Sequence, residues 1–279
     1  MSNNIIWLAS YPKSGNTWCR TLISNLRHET AANINQLHTD GIASARGCFE
    51  NSTLINSAHL SYDEIDIIRP AVYNHQSDLS TQQLFIKVHD AYTFNLEQNP
   101  IFPAHASKGV VYIVRNPLDV AISYAAHNNT SIDKAIGLLN DSSHCMAAKG
   151  NSVSNQFRQK LLNWSEHVSS WLSQSEIPVL LIRYEDLHTN PIQTITELAK
   201  FCGLAHDENS ISKSIQQADF KKLQEQEQQD GFREKPQKMT SFFRKGVVGS
   251  WQEELTPAQI QLVIEHHRPT MERLGYLAQ

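Results

Sequence analysis

No apolar run in this sequence is long enough to cross a bilayer, which takes about 20 consecutive apolar residues. The short run Ile5–Ala9 behind Met-Ser-Asn-Asn is too brief, and too uncharged in front, for a secretory signal, so a cytoplasmic protein without membrane attachment is expected. Cysteine is scarce. Cys19, Cys48, Cys145 and Cys202 stand apart with no C-x-x-C spacing, which argues against a disulfide framework or a zinc frame and fits a reducing compartment. Excess positive charge is missing as well: the formal net charge is −4 with histidine neutral, so no global field recruits nucleic acid or an anionic membrane. An anionic ligand must therefore be met by local clusters. No internal repeat is visible.

What remains is an ordinary globular composition, 40% hydrophobic and 19% charged over 279 residues, long enough to bury a sizeable core. Short β-type runs, "IIWLA" (5–9), "LFIKV" (84–88), "GVVYIV" (109–114) and "PVLLIR" (178–183), each lead toward polar or helix-starting residues. That pattern predicts an α/β fold with a central parallel sheet and helical crossovers. A helix is expected over 155–173, with Phe157, Leu161, Trp164, Val168 and Trp171 on one buried stripe. Another is expected between Pro191 and Gly203, and a third over 257–267 burying Ile260, Val263 and Ile264. The chain reads as one domain over 1–279. Loop-rich excursions are expected near 38–80 and 221–241, either as lids over a site or as solvated surface.

The stretch "SYPKSGNTW" (10–18) passes from a strand into a helix through a compressed turn. The amides of Ser14, Gly15, Asn16 and Thr17 then lie at a helix N-terminus, where free N–H groups and the helix dipole attract anions. Gly15 permits close backbone approach, and Lys13 adds a mobile cation. The ATPase phosphate-loop motif puts its lysine after the second glycine, whereas Lys13 precedes the only glycine here. A capped helix with a surface lysine remains an alternative, as does a core role for Trp18.

"VVYIVRNPLDVAISY" (110–124) repeats the design, with Arg115 at a strand's carboxyl end, Asn116 as N-cap, Pro117 at the first helical position and Asp119 three residues after the cap. Ser123 lies two helical turns further on, on the same side. "FFRKGVVGSW" (242–251) supplies Arg244 and Lys245 beside Gly246. Each of these taken alone is equally a salt bridge, a helix-surface hydroxyl or a solvated basic turn.

Together these segments resemble the cytosolic-type sulfotransferases that use 3′-phosphoadenylylsulfate (PAPS), and their bacterial relatives. "YPKSGNTW" is similar to the family's 5′-phosphosulfate loop, "RNPLDVAISY" to its 3′-phosphate motif and "RKGVVGSW" to its R-K-G-x-x-G-D-W motif. "FIKVHDAY" resembles the K-T-H segment, and "RYEDL" the segment that supplies an adenine-contacting tyrosine. They occur in family order from residue 5 to residue 251. The resemblance implies a P-loop-NTPase-like sulfotransferase fold. It implies that Lys13, Ser14, Gly15, Asn16 and Thr17 hold the 5′-phosphosulfate, that Arg115, Ser123, Arg244, Lys245 and Gly246 hold the 3′-phosphate, and that Trp18, Tyr184 and Phe220 surround the adenine. Asn16 replaces a threonine common in animal enzymes and keeps the amide. Ser250 stands where the family motif has aspartate, which leaves open what braces that loop, and the stretch after Trp251 has no clear match to the animal dimerisation motif, which leaves the oligomeric state open.

The implied reaction is in-line transfer of a sulfuryl group to a hydroxyl or amine, releasing adenosine 3′,5′-bisphosphate (PAP), with no metal required. His89 is the expected general base, because imidazole titrates near working pH. Lys13 is expected to neutralise the departing phosphate. Lys87 shares a strand face with His89 and is expected to meet the sulfuryl oxygens. Tyr11, Tyr92, Phe94, Tyr124 and His127 are candidates to wall a pocket for a small alcohol or phenol, although core packing accounts for each equally well. A phosphate-loop kinase of a small metabolite and a non-catalytic binder of the bisphosphate nucleotide are the rival readings.

Overall fold

The structure, a computed structural model, describes residues 3–28, 31–148, 153–236 and 239–277. Along the chain run β1 (Ile5–Ser10), α1 (Asn16–Arg27), α2 (Arg46–Thr53), α3 (Tyr62–Leu79), β2 (Leu84–Val88), β3 (Ser107–Val114), α4 (Pro117–Asn128), α5 (Ile132–Leu139), β4 (Cys145–Met146), β5 (Gln159–Lys160), α6 (Trp164–Ser173), β6 (Val179–Arg183), α7 (Asp186–Thr189), α8 (Pro191–Cys202), α9 (Glu208–Gln217), α10 (Phe220–Asp230), α11 (Trp251–Glu254) and α12 (Pro257–Arg273). The expected α/β architecture is present: a four-stranded parallel sheet in the order β2-β1-β3-β6, flanked by helices. β1 and β2 run in register from Ile5 opposite Leu84 to Ala9 opposite Val88. β1 is buried on both faces, as a strand covered by helices requires. By their contacts, the residues fall into two compact units.

Unit 1 comprises the described residues of 1–11, 40–112 and 141–180. Its core is aromatic. Trp7 meets Tyr73 and Phe102 edge-on at 5.1 and 5.0 Å, and Phe102 packs on Trp171 at 5.1 Å. The Trp7 indole donates to Ser107 Oγ at 2.7 Å, which satisfies its polar edge inside the core.

Two expectations are corrected here. The stretch 38–80 is not loop-rich: it holds α2 and α3, the latter opened by a reciprocal Ser61–Glu64 capping box. The buried face of α3 includes Asp66 and Arg69 beside Ile65, Val72 and Tyr73, so its apolar period is interrupted and escapes a hydrophobicity reading. The polar pair is ion-paired in place, since Arg69 donates to Asp90 at 2.9 Å and to Asp66 at 3.2 Å. The expected helix over 155–173 begins only at Trp164, where Asn163 and Glu166 form a capping box. Phe157 and Leu161 are buried as expected, but lie on the non-helical chain before it.

Unit 2 comprises the described residues of 12–39, 113–140 and 181–279. α1 packs on α8 and α9, and Ile34, Leu223, Phe232 and Phe243 form a core cluster with Trp18, Phe220 and Phe242 against it. α8 carries the expected ends, with Pro191 at its first position and Gly203 at φ 64 beyond its last. The stretch 221–241 is also corrected. Its first half is α10, whose polar sequence conceals the buried Leu223 and Glu227. The third expected helix runs on to Arg273, and Val263, His267 and Met271 form its buried face while Ile260 and Ile264 are half-buried.

Candidate active site

In unit 2, the turn before α1 has Lys13 at φ 69 and Gly15 at φ 101, left-handed values that curl successive amides to one side. Gly15 is required on two counts: its φ suits only glycine, and a Cβ there would lie 2.6 Å from Tyr184 Cδ2. The Tyr184 ring therefore lies directly on the turn. Ser14 is fully buried, and its hydroxyl has no hydrogen-bond partner among the described residues. The Lys13 ammonium sits 3.8 Å from the centroid of Phe242, a cation–π contact.

Arg115 joins the elements. Its guanidinium lies 4.3 Å from the Tyr184 centroid and donates to the carbonyls of Val247 at 2.9 Å and Lys13 at 3.5 Å. Its Nε has no hydrogen-bond partner among the described residues. Asn116 caps α4 as expected, and its own amide donates to Glu185 Oε1 at 2.9 Å, fastening the start of α4 to the residue after Tyr184. Ser123 is half-buried on the same helix. Trp18 is held by its indole N–H on the Ala218 carbonyl at 2.9 Å, with its ring at 5.5 Å from Tyr184. Burial pushes the Tyr184 hydroxyl above its ordinary value, with Arg115 opposing the shift.

The segment carrying Arg244, Lys245 and Gly246 is anchored on both sides by carboxylates that accept backbone N–H groups. Before it, Glu227 accepts from Phe242 N at 2.7 Å and Phe243 N at 2.9 Å. After it, Asp119 accepts from Gly249 N at 2.8 Å, Trp251 N at 3.1 Å and Ser250 Oγ at 3.1 Å. The open question about Ser250 is thereby answered: a carboxylate does brace this loop, but it comes from α4, and Ser250 is one of its donors. Gly246, at φ 62, lies beneath Phe220, whose ring a Cβ would overlap. A glycine under an aromatic ring thus occurs twice, at Gly15 with Tyr184 and at Gly246 with Phe220.

In unit 1, His89 follows β2, and Lys87 two residues earlier points to the same strand face. His89 Nδ1 lies 2.9 Å from the Ser10 carbonyl oxygen. A carbonyl only accepts, so Nδ1 carries the proton and the lone pair belongs to Nε2. The backbone of the same segment is held by groups that sequence reasoning missed. His167 Nε2 donates to the His89 carbonyl at 3.0 Å while Tyr112 donates to His167 Nδ1 at 2.7 Å, and the Trp171 indole donates to the Asp90 carbonyl at 3.0 Å. His167 falls on the stripe of Trp164 and Trp171, a signal available in the sequence.

Burial pushes the His167 imidazole down to about 4. A histidine kept neutral in the fold but titrating near 6.5 when unfolded stabilises the protein above pH 6.5, and the contribution is lost as the pH falls toward 4. Chemical denaturation at pH 7 and pH 5 is expected to show an acid-induced loss that is smaller by about 2 kcal/mol in His167→Gln than in wild type. Equal losses would contradict the neutral assignment.

The candidate acceptor residues do not fall in one unit. Tyr11, Tyr92 and Phe94 belong to unit 1, where Tyr92 meets Phe94 at 5.8 Å and Trp171 at 5.4 Å, and Phe94 is half-exposed. Tyr124 and His127 belong to unit 2, with rings stacked at 6.5 Å and His127 edge-on to Phe242 at 6.3 Å. Among the described residues no group of acidic, histidine and cysteine side chains has the makings of a metal site, and no helix is long and apolar enough to cross a membrane.

The family model of the sulfotransferase domain matches residues 3–275. Cytosolic sulfotransferase 16 of Arabidopsis thaliana is 28% identical over 278 residues, covering 90% of this chain and 71% of that protein. Sulfotransferase 1A1 of Canis lupus familiaris is 25% identical over 276 residues, covering 96% and 83%. Of solved structures, a mouse sulfotransferase complexed with PAP superposes with a TM-score of 0.62 at 20% identity, covering 100% of this chain and 90% of that one. A retinol dehydratase in complex with retinol and PAP gives a TM-score of 0.65 at 17% identity, covering 97% and 82%.

Proposed function

The chain belongs to the sulfotransferase family and transfers a sulfuryl group from PAPS, and we propose that unit 2 holds that nucleotide with the residues the sequence singles out. The amides of residues 14–17 and the Lys13 ammonium take the 5′-phosphosulfate. Arg115, Ser123, Arg244, Lys245 and the Gly246 amide take the 3′-phosphate, and Trp18, Tyr184 and Phe220 surround the adenine. The observation that carries this reading is the position of Arg115, which touches the turn, the Tyr184 ring and the carboxylate-braced loop at once. The buried Ser14 hydroxyl and the Arg115 Nε, both without hydrogen-bond partners among the described residues, suit an oxygen-rich anion.

When bound, PAPS supplies the activated sulfuryl group and a phosphate leaving group. Lys13 neutralises charge on the departing phosphate, and Lys87 meets the sulfuryl oxygens. His89 Nε2 takes the acceptor's proton, its tautomer set by the Ser10 carbonyl. The acceptor is a small alcohol or phenol, a reading favoured by the stacked Tyr124–His127 pair, with Phe242 edge-on to His127, in the same unit as Lys13.

Calorimetry without magnesium tests the nucleotide site. PAP is expected to bind well above AMP and ATP, and Arg115→Ala to weaken PAP by roughly 10- to 100-fold, the cost of losing a charge-assisted hydrogen bond. A magnesium-dependent preference for ATP would favour the kinase reading instead.

A further inference from the structure

Arg244 and Lys245 face a single carboxylate. Glu254, on α11, lies 2.7 Å from Lys245 Nζ and accepts from Arg244 Nη1 at 3.1 and 3.3 Å and from Nη2 at 3.3 Å. Burial pushes the Glu254 carboxyl up, but hydrogen bonds from Lys245 and Arg244 outweigh it and hold the group below the usual carboxylate range. Glu254 is therefore an anion at neutral pH, clasped by the two cations expected to meet a nucleotide's 3′-phosphate. Neighbouring Glu253 is exposed, with neither cation as a partner.

A carboxylate in this position has two conceivable effects: it orients the cations, or it competes for them. The backbone of this segment is already fixed by other groups. Glu227 holds residues 242–243, Gln224 donates to the carbonyls of Phe243 and Arg244 at 2.7 and 3.2 Å, Arg115 holds Val247 and Asp119 holds residues 249–251. The backbone that carries the two cations is thus placed without Glu254, which acts on their side chains and chiefly through its charge. It cancels one of the two positive charges, and it repels a phosphate brought to the same two side chains.

We propose that Glu254 is an internal competitor of the 3′-phosphate, lowering affinity for 3′-phosphorylated nucleotides and easing release of the bisphosphate product. The inference rests on the nucleotide site proposed in unit 2. Both cations are about one-third to two-fifths exposed at 35% and 43%, so screening keeps the effect modest.

The test is calorimetric titration of wild type, Glu254→Gln and Glu253→Gln with PAP and with AMP at one ionic strength. Glu254→Gln is expected to bind PAP roughly 3- to 10-fold more tightly, with AMP within about twofold of wild type and Glu253→Gln unchanged for both. Unchanged AMP binding also reports an intact fold. Weaker or unchanged PAP binding in Glu254→Gln would overturn the competitor role, as would equal tightening toward AMP, which marks a general field effect. A wild type that does not prefer PAP over AMP would instead overturn the nucleotide-site reading itself, independently of the variants.

Discussion

His89→Ala is expected to lower kcat by roughly 10²- to 10⁴-fold, the range lost when a positioned general base is removed. PAP affinity is expected to stay within about twofold, because every contact proposed for the bisphosphate, which lacks the sulfuryl group, lies in unit 2. The imidazole is suited to the task by its tautomer: with Nδ1–H donating to the Ser10 carbonyl, the ring presents Nε2 as its basic atom. Its backbone is held by His167 and its neighbour Asp90 by Trp171 and Arg69, so the ring starts from a fixed base. The measurement is steady-state turnover against pH with binding followed in parallel. Turnover within tenfold of wild type would remove His89 from the chemistry, and loss of PAP binding would give it a structural role.

Asp119→Ala is expected to weaken PAP by at least about 100-fold. Alanine leaves the amides of Gly249 and Trp251 and the Ser250 hydroxyl without their acceptor; the buried hydroxyl so orphaned costs about 1–3 kcal/mol, and each of the two half-buried amides adds a smaller cost. The loop then has a reason to leave its position, taking Lys245 and Gly246 away from Arg115. Asp119→Asn should fall between the two, since one amide oxygen still accepts while the amide nitrogen meets a backbone donor. Calorimetry for affinity and thermal melting for the fold separate a loosened loop from a lost domain. Wild-type affinity in Asp119→Ala would show that the three bonds do not position the phosphate contacts.

The strand-turn-helix elements were legible because their signals are local. Pro12, Gly15, the Asn116-Pro117 start of α4 and the Pro191 and Gly203 ends of α8 impose backbone geometry on their own neighbours, and a sequence displays them directly. Asp119 was read as a local cap-associated residue, whereas its partners lie 130 to 132 positions along the chain. Glu227 was hidden for a related reason. A carboxylate that accepts backbone amides needs no complementary side chain, so nothing in the partner's sequence announces it. α3 was missed because its buried face mixes Asp66 and Arg69 with apolar residues. Phe242, which carries the Lys13 ammonium, stood in the quoted "FFRKG" stretch but has no motif value of its own.

The double bracing of residues 241–251 has a thermodynamic consequence. A segment already ordered loses little conformational entropy when it closes on an anion, so nucleotide binding should carry a small ordering penalty and a rapid on-rate. Affinity in this protein then becomes adjustable from outside the site. Alterations to the carboxylates of α4 and α10 change the entropy of the loop, while the groups that touch phosphate keep their chemistry.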